Sequence, residues 1–136
     1  MKRLRPGPVP VRPVSGRRRA SGQAAHRSGH AGEWLAALWL MGRGYQILGF
    51  RLKSRAGEID LLVCRGRVLA VVEVKRRATM EAALLALKPV QYDRLVAAGE
   101  AIRRNRPGLQ RLDLRIDMVA LAPWRVPRHL RGVERR

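Results

Sequence analysis

Cysteine is almost absent from this chain. The single Cys64 among 136 residues excludes an internal disulfide framework and fits a reducing compartment. It lies in an apparent strand, where it reads as a small core filler. Aromatic residues are scarce at 4%, which disfavours a single-strand binder built on stacked bases. Trp34, Trp39 and Trp124 are accordingly read as core or edge packing. No apolar run is long enough to span a bilayer, and no basic amphipathic helix carries a bulky apolar face, so a membrane is not the expected partner. Residues 1–32 lack the apolar stretch of a secretory signal. Their repeated Pro and Gly argue against a transit-peptide helix, so the expected location is cytoplasmic. His26, His30 and His129 are scattered, which indicates no histidine metal cluster.

Acids are the next shortage. Ten Asp and Glu face 29 Lys and Arg, a formal net charge of +19. A field of that sign draws polyanions, and nucleic acid is the commonest one in a cell. A hydrophobic fraction of 46% over this length supports one domain with one core.

Composition changes once along the chain. Residues 1–28 combine Pro, Gly, Ser and Arg without a hydrophobic period and are expected to form a disordered basic tail, leaving 29–136 as the domain. In "HAGEWLAALWLMGRGY" apolar residues, Leu35, Leu38 and Trp39 among them, recur at helical spacing until Gly42 and Gly44. "YQILGFRLKS" reads as a strand, and "GEIDLLVCRGRVLAVVEVKRR" as two more around a turn. Residues 79–104 have helix-forming composition, with Pro89 marking a break or a new first turn. "LDLRIDMVALA" alternates as a final strand, and the proline-containing tail after it is placed over the sheet edge. The order helix, three strands, helix, strand predicts an α/β fold with a central mixed sheet flanked by helices.

The hairpin carries the chemistry. Side chains alternate across a strand, so Glu58 and Asp60 share one face, and so do Glu73 and Lys75. With Gly66 and Arg67 as the turn residues of a type II′ turn, Asp60 falls opposite Glu73. With Arg65 and Gly66 in the turn, Glu58 falls opposite Glu73 and Asp60 lies diagonally. Either register opposes two acids, which weakens a hairpin unless something compensates. A hard divalent cation such as Mg²⁺, which takes few carboxylates and retains waters, would do so.

Lysine points to the same place. Only Lys2, Lys53, Lys75 and Lys88 are Lys among the 29 basic residues, so a Lys at 75, directly before Arg76 and Arg77, suggests a need for a compact ammonium with tunable protonation. Asp60, Glu73 and a backbone carbonyl could hold a metal, with Lys75 orienting a water and stabilising charge on a phosphate. Glu33 lies near the start of the first helix, where the macrodipole also favours an acid. Glu58 reads as a supporting residue. Arg115 and Asp117 either pair with each other or border the site, and Lys88 and Gln91 read as a solvated helix face more readily than as phosphate contacts.

This set, a helix Glu, a strand Asp and Glu-x-Lys on the next strand, resembles the restriction-endonuclease-like superfamily. Within it, "GEWLAALWLMGRGYQIL", "GEIDLLV", "VVEVKRR" and "RIDMVAL" are similar, in order, to the YraN-like bacterial family over roughly residues 29–133. The resemblance implies a restriction-endonuclease-like core and Mg²⁺-dependent or Mn²⁺-dependent hydrolysis of phosphodiester bonds in DNA. Archaeal Holliday-junction resolvases share a similar arrangement, which brings in branched or structured DNA. Carried over, Glu33 assists the metal or its water shell, Asp60 and Glu73 are direct ligands and Lys75 is the catalytic lysine. Asp60 follows "GEI" where many restriction enzymes have Pro-Asp, a departure that removes no ligand. A resolvase needs two sites and hence a homodimer. The alternative function is a noncatalytic nucleic-acid-binding protein of the same fold, although binding alone does not need carboxylates that repel phosphates.

Overall fold

The computed structural model describes residues 19–135, with side-chain positions from residue 30 onward. Helix α1 (Arg19–Gly42) leads into strands β1 (Gln46–Ser54), β2 (Gly57–Arg65) and β3 (Val68–Arg76). A short helix α2 (Met80–Leu84), helix α3 (Pro89–Asn105) and a 3-10 turn (Pro107–Leu109) then connect to β4 (Asp113–Leu121) and the edge strand β5 (Arg128–Leu130). The expected order is present, with β5 added to it. Of the segment expected to be a tail, residues 1–18 lie outside the described residues, and α1 begins at Arg19.

The strands lie in sequence order, β1-β2-β3-β4-β5. Neighbours are antiparallel except β3 and β4, which are parallel, so the sheet is mixed. A parallel pair requires a long crossover, and the segment containing α2 and α3 supplies it. Thr79 caps α2 by accepting a hydrogen bond on Oγ1 from the Ala82 N–H at 3.1 Å, and Pro89 opens α3, as its fixed φ favours.

Two hydrophobic layers form, one on each face. On one, Ala36, Ala37 and Leu40 of α1 pack with Leu61, Val63, Ala70, Val72 and Val119. On the other, Leu95, Ala98 and Ile102 of α3 pack with Leu62, Leu69, Val71 and Ile116. Burial on both sides is why "VLAVV" in β3 shows no alternation. The helix–sheet approach on the α3 side is close: a Cβ at Gly99 would lie 2.7 Å from Val71 Cγ2 and 3.0 Å from Leu114 Cδ1.

The structure refines two readings and corrects a third, the packing of Trp124. The apolar residues at 35 and 38 do not face the sheet. The face of α1 that does is built from the small residues Gly32, Ala36 and Ala37 with Leu40, while Trp34, Leu35, Leu38 and Met41 are exposed. Small side chains let the helix sit close to the strands, which a hydrophobicity pattern alone does not register. Trp34 is edge packing, its ring 4.9 Å from that of Phe50. Trp124 packs nowhere: it is fully exposed at φ 60°, in the turn after β4. Of the two readings for Arg115 and Asp117 the pairing holds, and neither residue lines the Asp60 and Glu73 cleft. They pair with each other at 2.8 Å, and His129 of the unforeseen strand β5 completes the pair. Among the described residues no helix is long and apolar enough to cross a membrane.

Candidate active site

The hairpin register is the one with Gly66 and Arg67 in the turn: Arg65 pairs with Val68 and Leu61 with Val72. Gly66 has φ 61°, and Arg67 is not among the residues with positive φ, which is the signature of a type II′ turn. One step beyond Leu61 and Val72 lie Asp60 and Glu73, at the end of the ladder where the apolar run of β3 stops. The Asp60 carboxylate takes the place of a strand partner there, with Oδ2 accepting from the Val74 N–H at 2.9 Å.

Strand β1 bends at the same level. Arg51, between the pairs Phe50–Leu61 and Leu52–Ile59, has φ 47°, a left-handed value that costs a non-glycine residue free energy and clusters at functional sites. Across this step the strands change faces: Phe50 and Leu61 pack on the α1 layer, Leu52 and Ile59 on the α3 layer. The change brings the side chains at this end of the sheet within reach of both layers.

From α1 comes Glu33, 8% exposed. It sits well inside the helix, so helix-start electrostatics does not account for it. Arg51 Nη1 lies 3.4 Å from Glu33 Oε2, and Arg51 Nε donates to His30 Nε2 at 2.9 Å. From β3 come Glu73 and Lys75, joined by a 3.1 Å contact between Nζ and Oε2. Lys75 is 8% exposed. Lysine is seldom buried without a partner, and here the partner is a carboxylate of the site itself.

The acids shape each other's protonation. Burial pushes Glu33 up to about 7 against the pull of Arg51, and the charges of Asp60 and Glu58 push the same way. For Asp60, burial and then the neighbouring Glu73 raise the value to about 7, against the lowering effect of the Val74 hydrogen bond. Removal from water is the main reason both carboxyls sit so high, and the like charge of Glu73 adds to it at Asp60.

A cleft of about 260 Å³ opens between the hairpin and α3, lined by Gly57, Glu58, Asp60, Glu73, Gln91, Arg94 and Leu95. The structure thus brings Asp60 and Glu73 together and sets Lys75 against Glu73. Glu33 approaches from α1 closely enough for Asp60 to act on it. Glu58 is exposed and lines the cleft mouth. Gln91, read from sequence as part of a solvated face, belongs to the cleft and also holds the start of α3, its Oε1 accepting from the Lys88 N–H at 3.1 Å. Lys88 does remain exposed. Sequence reasoning missed Arg94 and Arg51. Arg94 was within reach, because Gln91, Arg94 and core Leu95 stand three and four apart on one helical face.

Two carboxylates side by side suit a cation that keeps most of its water, as Mg²⁺ does. Among the described residues no three His, Cys, Asp or Glu side chains are set to hold a metal together, so the fit rests on the Asp60 and Glu73 pair, whose like charges raise the Asp60 value.

Comparison with known proteins places these residues in a family. The model of the Uncharacterised protein family UPF0102 matches residues 32–121, a stretch that contains Glu33, Asp60, Glu73 and Lys75. A "UPF0102 protein" of Caulobacter vibrioides (strain NA1000 / CB15N) is 54% identical over 117 residues, 86% of this chain and 94% of the relative. One from Caulobacter sp. (strain K31) is 55% identical over 122 residues, covering 89% and 88%, and "UPF0102 protein amb4503" of Paramagnetospirillum magneticum is 49% identical over 112 residues, covering 79% and 87%. On these matches the chain belongs to the Uncharacterised protein family UPF0102, the YraN-like family that its motif order resembles.

Proposed function

We propose that this protein is a divalent-cation-dependent nuclease of the restriction-endonuclease-like superfamily that hydrolyses phosphodiester bonds in DNA, branched or otherwise structured DNA included. One observation carries the reading: Asp60 and Glu73 converge in a cleft on adjacent strands, just past the last paired residues of the hairpin, with a nearly buried lysine 3.1 Å from Glu73, in a protein of net charge +19. A protein that only bound nucleic acid would gain nothing from concentrating four of its ten acids at one end of its sheet. A structural salt bridge would not need the remaining carboxylates.

In this reading Asp60 and Glu73 would hold Mg²⁺ or Mn²⁺. Bound there, the cation supplies Lewis-acid stabilisation of phosphoryl charge and a water of lowered pKa. The chain's own groups do the rest. The Lys75 ammonium, fixed by Glu73, offers a donor and a positive charge to the phosphate as negative charge builds on it. Glu33, held by Arg51, would assist the cation's water shell from the α1 side. Arg94 lies across the cleft from the carboxylates and contributes a fork-shaped donor for a phosphate oxygen. The single thiol, Cys64, fits action in the cytoplasm. Cutting paired strands would take two copies of the chain.

The test is incubation of the purified protein with labelled duplex, single-stranded and four-way-junction DNA in Mg²⁺ or Mn²⁺, beside EDTA. Cation-dependent cutting supports the reading. Salt-sensitive binding with every substrate intact favours the noncatalytic nucleic-acid-binding protein instead.

A further inference from the structure

A second cavity, of about 390 Å³, is lined by Arg43, Tyr45, Arg65, His129 and Arg131. Its lining contains three guanidinium groups and no acid. Among the described residues none of the three arginines forms an ion pair with a carboxylate. Guanidinium groups gathered around one cavity repel each other as the carboxylates of the cleft do, with the opposite sign.

The floor of the cavity is rigid. Asp117 is fully buried, and its two oxygens are occupied. Oδ1 accepts from Arg115 Nε at 2.8 Å and from the Gly132 N–H at 3.0 Å, while Oδ2 accepts from Arg115 Nη2 at 2.8 Å and lies 2.8 Å from His129 Nε2. Arg115 also donates to the Tyr45 hydroxyl at 2.7 Å. The negative charge of Asp117 is therefore consumed below the cavity. Arg65 is positioned in advance, its guanidinium 4.6 Å from the centre of the Tyr45 ring and its Nη1 donating to the Arg43 carbonyl at 2.7 Å. Fixing a guanidinium before the ligand arrives lowers the entropic cost of binding.

We propose that this cavity binds a phosphate group, as a site separate from the Asp60 and Glu73 cleft. Arginine forks match phosphate oxygens in bidentate geometry, and a cavity of this volume falls within the usual range for small-molecule sites, so it admits the group esterified to the phosphate as well. The two sites are set apart along α1 and β2. The helical rise of 1.5 Å per residue puts Glu33 and Arg43 about 15 Å apart along α1, and the strand rise puts Asp60 and Arg65 about 17 Å apart along β2. The site rests on its own geometry and stands whether or not the cleft cleaves DNA.

The experiment titrates the full-length protein, in EDTA, with pyrophosphate, inorganic phosphate, and a short oligonucleotide with or without a 5′-phosphate. The readout is backbone amide shifts at Tyr45, Arg65 and His129. Saturable shifts at these residues are expected with pyrophosphate, unchanged in Glu73→Ala. The double variant Arg43→Ala/Arg131→Ala, which alters exposed side chains only, should weaken binding by roughly tenfold or more, the loss expected for one charge-assisted hydrogen bond. Preference for the 5′-phosphorylated oligonucleotide identifies a terminal phosphate, equal binding of both oligonucleotides a backbone phosphate, and preference for the inorganic ions a small phosphorylated ligand. No saturable shift at millimolar pyrophosphate, no loss in the double variant, or loss in Glu73→Ala would each overturn the proposal.

Discussion

The most informative perturbation is pH, applied with and without a divalent cation. Glu33 and Asp60 rise from ordinary values of 4.5 and 3.8 to about 7 in the folded protein. A carboxyl raised on folding binds more protons in the native state than in the unfolded one, so its contribution is fully present below about pH 4 and is lost as pH climbs through 7. A tenfold difference in proton affinity between the two states corresponds to about 1.36 kcal/mol, so the two groups together withdraw on the order of a few kcal/mol between pH 4 and 8. That is a sizeable share of the roughly 5–15 kcal/mol by which domains are stable. Asp117 works in the opposite sense, because its lowered value adds stability that is lost only in more acidic solution, outside this window. Urea melts from pH 4 to 8 in EDTA should therefore show stability falling as pH rises. Mg²⁺ or Mn²⁺ should restore it above pH 7, with proton release on cation binding below that. Asp60→Asn should flatten the EDTA profile. A profile flat from pH 5 to 8, unmoved by either cation, would refute the account of the carboxylates.

Three other perturbations test separate parts of the structure. Gly99→Ala should lower stability by about 1–3 kcal/mol from overpacking, more than its helix-propensity gain of about 1 kcal/mol, and Val71→Ala in the same chain should recover part of the loss in thermal melts. Asp117→Asn leaves Arg115 without its counter-charge beside a buried site, and denaturant titration should show a loss of about 3–5 kcal/mol. Lys75→Arg keeps the charge but not the compact ammonium. Single-turnover cleavage should fall by about 10²-fold or more while the melting temperature moves little.

Much of this architecture is legible in the sequence because the helix and strand periods differ and the chain obeys them. Asp60, Glu73 and Lys75 were legible because charge interrupts an otherwise apolar hairpin. The register was not, because "RGR" permits two turns, and only the backbone at Gly66, with φ 61°, selects one. Strand β5 is three residues long and follows Pro127, too short for a periodic signal, yet it supplies the His129 that meets Asp117. Arg51 gave no signal either: its role arises from a left-handed backbone and from the approach of α1, both products of tertiary packing. The exposed stripe of α1 misleads for a related reason, since alanine and glycine on the buried face carry little hydrophobic weight.

Glu73→Gln tests the central claim most directly, by measuring cleavage and DNA affinity on the same preparation. The substitution keeps the shape of the side chain and removes the charge that the cation would need. Cation-dependent cleavage should fall by about 10³-fold, the scale of losing an electrostatic contact at a reacting centre, while DNA affinity in EDTA stays level or rises as a repulsive carboxylate is lost. Cleavage at the wild-type rate would contradict the account and move the chemistry away from Asp60 and Glu73.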